Sequence, residues 1–315
     1  MVKKSIYGVE SNMKIAIMLS TYNGKRYLRE QLDSIMNQDI DAQVVLYIRD
    51  DNSNDETEEI VSKYSKKMQI NFWHRKNVGP AKSFWELFMN GDIQADYYAF
   101  CDQDDIWDAN KLQKAIISLE KFENCAALWC SNCRLIDSSG KLLEEKMQKE
   151  KIELSLISQI VCGTIQGAAM VFNNRLREYV YNKNIEEFPM HDFVLITYAL
   201  SCGRVIYDEE PSFSYRIHEN NVVASGGKSL FSRLKSSYYR WFSKQHRYEN
   251  SKFAERILID NKEYLDEETI KYLNCVAHCK YNIINRYRIL VNPLTKAQNK
   301  KAERSFKIRV LLGII

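Results

Sequence analysis

Asp102, Asp104, Asp105 and Asp108 crowd four carboxylates into seven positions, directly behind the apolar run "YYAFC" at 97–101. Like charges at that density repel, so the cluster predicts a cation that offsets them. Asp102 and Asp104 form a D-x-D pair. Hard carboxylate oxygens suit Mg2+ or Mn2+, which bridge such a pair to a diphosphate. Three further polar clusters each follow an apolar run. "STYNG" (20–24) offers small residues and a glycine, which let backbone groups approach a flat base. In "DDNSNDET" (50–57), Asp50 and Asp51 can accept hydrogen bonds from ring N–H and ribose hydroxyl groups. "NVGPAKSF" (77–84) sets Asn77, Gly79 and Lys82 where a helix begins, an environment for phosphate oxygens. Taken singly, each is also what an ordinary turn looks like, because Asp, Asn, Ser and Gly favour turns. Four in succession point to an anionic nucleotide ligand.

The elements that must position these clusters alternate. "KIAIMLS" (14–20), "VVLYIR" (44–49), "INFWH" (70–74) and "YYAFC" (97–101) have strand character. Between them lie helical stretches; in "KRYLREQLDSIMNQ", Leu28, Leu32, Ile35 and Met36 fall on one face. Strand–helix alternation predicts an α/β fold, a mainly parallel sheet flanked by helices, with every strand's C-terminal end on one edge. That edge is where open α/β sheets bind ligands. Further on, "AALWCSNCRLI", "GAAMVF", "GRVIYD" and "SFSYRI" are strand-like, "HDFVLITYALSC" is helical, and "SSGKLLEEKMQKEKIE" predicts a turn and a mobile charged loop. "ASGGKS" (224–229) is the predicted boundary between a catalytic domain, 1–225, and a basic helical region, 226–315.

The 315 residues are 45% hydrophobic and 27% charged, ordinary globular values that need no disulfide or metal to support a core. Of eight cysteines, Cys130 and Cys133 have C-x-x-C spacing, but no second pair completes a zinc set, so both are expected buried and reduced. No signal-peptide pattern opens the chain, which predicts a cytoplasmic home. The net charge of +4 is unevenly spread. From Lys228 onward there are 19 Lys+Arg against 8 Asp+Glu, whereas the first 227 residues hold 26 against 33. The basic tail suits an anionic membrane surface or nucleic acid; the acidic front and the lack of a binding motif weigh against nucleic acid. "LFSRLKSSYYRWFSKQHRY" (230–248) interleaves aromatics with cations, as an interfacial helix does. No apolar run reaches spanning length. The apolar ending "SFKIRVLLGII" hints at a truncated chain.

"STYNG", "DDNSNDET", the N-x-G of 77–79 and "CDQDDIW" together resemble family 2 glycosyltransferases with the GT-A fold, over residues 14–218. "FCDQDDIWDANK", "QGAAMVFN", "MHDFVL" and "YRIHENNVV" look like the bacterial rhamnosyltransferases of surface-polysaccharide assembly. The resemblance implies an inverting, metal-dependent enzyme, with dTDP-L-rhamnose as donor and UDP-hexose or UDP-N-acetylhexosamine as the alternative. It implies a base pocket of Thr21, Tyr22, Asn23 and Asp51, with Asp50 and Ser53 supporting that loop. Asp102 would reach the ribose and Asp104 the metal, with Asp105 nearby, and His218 would approach the metal or the diphosphate. Asp192 would be the catalytic base, Gln166 and Gly167 would face the acceptor, and His191 would orient Asp192 or cap its helix. An inverting transfer needs one such base and positive charge on the leaving diphosphate. Trp107 and Trp85 are candidates for stacking on a sugar, with core packing as their competing use. The absence of a QxxRW segment argues against a processive synthase. A lipid-linked saccharide at the cytoplasmic membrane face is the implied acceptor. A catalytically silent scaffold is the rival of another class, opposed by the intact acids at 102, 104 and 192.

Overall fold

A computed structural model of the chain describes residues 13–152, 154–163, 165–183, 185, 190–218, 249–297 and 299–315. They form two compact units. The first comprises residues up to Glu150, Gln166–Asn182 and Arg204–Ile217; the second comprises Lys151–Ile165, Lys183–Gly203 and residues from His218 onward. The expected boundary at 225–226 lies outside the described residues, as does the aromatic–basic stretch 230–248.

In the first unit, β1 (Lys14–Thr21), β2 (Gln43–Asp50), β3 (Ile70–His74) and β4 (Tyr97–Cys101) lie where the apolar runs predict. With β6 (Ala127–Ser131), β9 (Met170–Asn173) and β10 (Arg204–Asp208) they build a seven-stranded sheet in the order β10-β6-β9-β4-β1-β2-β3. Pairings among β1 to β4 are parallel, as is β6 with β10; β9 alone runs antiparallel, between β4 and β6. The central strands are apolar on both faces because helices cover both. Those helices are α1 (Leu28–Met36), α2 (Thr57–Tyr64), α3 (Pro80–Phe88), α4 (Lys111–Leu119) and α6 (Asn174–Tyr181). α1 buries Leu28, Leu32 and Ile35, but Met36, at its last turn, is exposed. "GAAMVF" opens as a 3-10 turn, Gly167–Ala169, before becoming β9.

A second sheet, ordered β5-β11-β7-β8, joins β5 (Ile106–Trp107), β11 (Phe213–Arg216), β7 (Arg134–Ile136) and β8 (Leu142–Glu144). β8 occupies part of the expected charged loop: the Asp137 carboxylate accepts from Ser139 N and Lys141 N, closing a tight turn that pairs β8 with β7. Cys130 and Cys133 are buried and unbridged, as expected.

The second unit is helical. α5 (Leu156–Val161) and α7 (His191–Cys202) pack with α8 (Glu249–Asn261), α9 (Glu267–Ala277), α10 (Ile283–Val291) and α11 (Lys300–Leu312). Asp266, Asn282 and Asn299 cap the last three through side-chain bonds to backbone N–H groups. No described helix is long and apolar enough to cross a membrane.

Candidate active site

Strand register assembles the first unit's polar loops. Thr21 stands opposite Asp50, and Asp50 opposite His74, so one row crosses β1, β2 and β3 at their C-terminal ends. Leu19 stands opposite Cys101, so two residues further on Gln103 comes beside Thr21. Thr21 Oγ1 donates to Gln103 Oε1 at 2.7 Å, and Tyr22 N to the same oxygen at 2.9 Å. Gln103 Nε2 returns a bond to the Tyr22 carbonyl at 3.1 Å. The residue between the two acids of D-x-D therefore locks the "STYNG" loop to the acidic loop. A Cβ at Gly24 would stand 2.7 Å from both Gln103 Oε1 and Thr21 Oγ1, so any larger residue there would have to displace this hydrogen-bonded pair. Asn23 takes a left-handed φ of 49°, which a short amide side chain tolerates. Its N–H donates to Ser53 Oγ at 2.8 Å. Buried Asp50 accepts from Ser53 N at 3.0 Å and lies 2.8 Å from His74 Nδ1, fixing the 50–54 loop. The Tyr22 ring is exposed.

Asp51 is buried and its oxygens are engaged. The Arg49 guanidinium contacts one, Val78 N donates to that oxygen at 2.9 Å, and Gly79 N donates to the other at 2.9 Å. Where the start of α3 suggested phosphate oxygens, the structure thus puts the Asp51 carboxylate, because a buried acid must find donors and these amides supply them. Asn77 Oδ1 shares the Gly79 N–H at 3.2 Å, and Lys82 is exposed in the first turn of α3.

In the acidic loop Asp102 and Asp104 are half-buried and Asp105 is fully buried. Burial, reinforced by the Asp102 and Asp104 carboxylates, pushes the Asp105 carboxyl well above the usual range. Two buried cations hold this loop, and neither was singled out from the sequence. Arg216, on β11, donates from Nε to the Asp104 carbonyl at 2.9 Å, from its backbone N to Asp105 Oδ1 at 3.3 Å, and to Glu30 at 2.7 Å. Lys111, opening α4, donates to the Ala168 carbonyl and so ties the acidic loop's helix to the Gln166–Ala168 segment. Burial lowers the Lys111 ammonium to about 8, still charged at neutral pH. The signal available was positional: each cation sits inside a motif, "DANK" or "YRIH". Where aromatic stacking put a sugar against Trp107, the structure puts the Lys111 ammonium, 4.2 Å above a buried ring. Trp85 is likewise buried, stacked on Phe88. Gln166 reaches Met147 Sδ at 3.8 Å, and Gly167 is buried in its turn.

Among the described residues no three His, Cys, Asp or Glu side chains gather as a ready-made metal cage. The donor set still fits Mg2+ or Mn2+ held in the open mode, by one or two carboxylates plus substrate phosphates and water. Asp102 and Asp104, half-buried two positions apart on the acidic loop, are the carboxylates such a site needs.

The remaining candidates belong to the second unit. α7 begins at His191 with Met190 as its N-cap, so neither His191 nor Asp192 caps the helix. Asp192 lies half-buried in the first turn, where Phe193 N donates to its Oδ1 at 2.7 Å. His191 is buried, and burial lowers its imidazole to about 4, leaving it neutral at physiological pH. His218 is half-buried.

A mainly parallel seven-stranded sheet, with its polar loops and a D-x-D pair gathered at the strands' C-terminal edge, defines a fold of the GT-A kind. Comparison with solved structures agrees on the fold. The S. aureus TarS 1–349 structure with UDP-GlcNAc matches with a TM-score of 0.62 at 18% identity, over 96% of this chain and 82% of that one. The mannosyltransferase PcManGT from Pyrobaculum calidifontis, in complex with GDP-Man and Mn2+, matches with a TM-score of 0.53 at 12% identity, over 96% and 86%. The family model for "Glycosyl transferase family 2" matches residues 16–179. The dTDP-rhamnosyl transferase RfbG of Shigella flexneri is 32% identical over 242 residues, 72% of this chain and 81% of that protein. An uncharacterized glycosyltransferase of Rickettsia typhi is 24% identical over 73% of each chain. The chain belongs to glycosyl transferase family 2, an inverting family, and is a glycosyltransferase.

Proposed function

We propose that the protein transfers L-rhamnose from dTDP-L-rhamnose to a lipid-linked saccharide at the cytoplasmic membrane face, in the assembly of a bacterial surface polysaccharide. The single observation that carries a nucleotide-sugar donor is the Gln103 lock, which sets the "STYNG" loop beside Asp102 and Asp104 at one sheet edge. The identity with a dTDP-rhamnosyl transferase supports the choice of donor. A UDP-hexose or UDP-N-acetylhexosamine is the second candidate, supported by the fold match to a UDP-GlcNAc complex.

In this proposal Thr21, Tyr22 and Asn23 receive the base, Asp102 the ribose, and Asp104 a divalent cation. A bound Mg2+ or Mn2+ supplies positive charge to the departing diphosphate. Asp192 takes the proton from the acceptor hydroxyl as that oxygen attacks the anomeric carbon. The carbon–oxygen bond to the diphosphate then breaks with its electron pair on the diphosphate, and the configuration inverts. His218, on the strength of the "YRIH" match alone, contacts the metal or the diphosphate. The Asp51 carboxylate serves the base pocket by holding residues 78–79 in place.

The test is donor hydrolysis by purified protein with Mn2+ across dTDP-rhamnose, UDP-glucose, UDP-GlcNAc and GDP-mannose. Preferential release of dTDP is expected, and UDP release in its place would move the proposal to the second donor. Asp104→Ala should abolish metal-dependent donor binding. Asp192→Asn should keep donor binding and lose transfer by about 10²–10⁴-fold, the usual worth of a general base; full activity in that variant would remove Asp192 from the mechanism.

A further inference from the structure

Nine of the sixteen large apolar side chains exposed among the described residues fall within residues 281–312. Tyr281 is 85% exposed and Ile283 78%, with Ile284, Tyr287 and Val291 continuing along α10. Ile283, Tyr287 and Val291 recur every four residues, so they share one helical face, and only Ile289 of that helix is buried. Arg286 turns the other way and donates to the Leu311 carbonyl at 3.2 Å, which brings the end of α11, with exposed Leu311 and Leu312, beside the first turns of α10. An apolar surface of this extent is costly in water unless something covers it.

Its charge says what does. Residues 269–302 contain no Asp or Glu and seven cations: Lys271, Lys280, Arg286, Arg288, Lys296, Lys300 and Lys301. The adjoining groove between α9 and α10, about 820 Å³, presents Lys271, His278 and Arg288 against one acid, Glu268. A second copy of the chain docked face to face would set this cationic surface against itself, whereas an anionic lipid interface complements it while taking up the apolar side chains. We infer that the exposed face of α10, with the C-terminal end of α11, docks on an anionic bilayer surface. The inference shares with the proposed function only the location of the acceptor. It is tested without donor or acceptor, so either can fail alone.

The experiment is flotation of the full chain with phosphatidylglycerol-containing vesicles and with pure phosphatidylcholine. Binding to the former, weakened by salt, is expected. Ile284→Glu/Tyr287→Glu should lower the bound fraction at least about fivefold, and Arg288→Glu/Lys296→Glu should do the same through charge, at roughly fivefold per cation. Ile117→Glu, at an exposed apolar position of α4, should leave it unchanged. All three substitution sets lie at exposed positions, and circular dichroism melting checks that each variant is folded. Absence of binding to anionic vesicles would overturn the inference. So would wild-type binding by both double variants, which would move the contact to other residues. A concentration-dependent dimer in light scattering that Ile284→Glu/Tyr287→Glu abolishes would reassign the face to contact between copies.

Discussion

Gln103 spends its whole amide on the neighbouring loop, accepting two hydrogen bonds and donating one. Gln103→Leu keeps the volume and removes all three. Donor affinity, read by calorimetry with dTDP and Mn2+, should fall about tenfold or more as the two loops lose their common setting. Unchanged affinity would show that they are positioned independently. Arg216→Lys tests the second lock: a lysine cannot keep the Nε bond to the Asp104 carbonyl together with the contact to Glu30. Donor KM should rise, and Arg216→Ala should do no better. His191 carries a pH signature. Its imidazole sits at about 4 in the folded protein, below the ordinary 6.5, so the unfolded chain binds the extra proton first. Its contribution is therefore complete above pH 6.5 and is lost as pH falls towards 4, up to roughly 3 kcal/mol from this shift. Thermal melts across that range should show the decline, and His191→Gln should flatten it.

Elements were more legible in the sequence than their contents. β1, β2 and β4 could be read because a strand buried on both faces must be a continuous apolar run, as "KIAIMLS" and "YYAFC" are, whereas β3, a part-buried edge strand, was legible from its Ile, Phe and Trp. β8 could not: Leu142–Glu144 is short and exposed, and its pairing comes from the Asp137 turn rather than from hydrophobicity. That the clusters at 20–24, 50–57 and 102–105 lie together at one sheet edge could also be read, because each follows a strand of a parallel sheet. What stayed hidden was which polar atoms face inward, since that depends on register: Asp51 turns to the amides of residues 78 and 79, and Lys111 to the Ala168 carbonyl. The start of α3 gives an element-scale prediction. Gly79 has φ +81° and ψ 161°, a region essentially reserved for glycine, and nothing within 4 Å of where a Cβ would stand, so Gly79→Ala is penalised only by its backbone, about 1–3 kcal/mol in chemical denaturation. A neutral result would mean that the loop relaxes to another conformation.

At the scale of the whole molecule, neither unit is one continuous stretch of chain. Residues 151–165 and 183–203 group with the C-terminal helices, so α5 and α7 bury apolar side chains against α8, α9 and α11. Phe193 and Tyr198 of α7 pack on Phe253 of α8, and Asn250 of α8 donates to the Ile160 carbonyl of α5 at 2.7 Å. A fragment ending at residue 225, the cut that composition suggests, would strip those partners from two segments it retains. It should be poorly soluble and bind a hydrophobic dye; a soluble fragment with a sharp melting transition would show that α5 and α7 do not need them.

The Gln103 lock also sets a rule for anyone re-engineering donor choice. In the proposed donor site, a graft of residues 20–24 that lacks a hydroxyl at position 21 would lose one of the three bonds to Gln103, and a graft of 102–105 that lacks glutamine at 103 would lose all three. The smallest transplantable cassette is therefore the pair of segments together, exchanged in one step across some eighty residues of intervening chain.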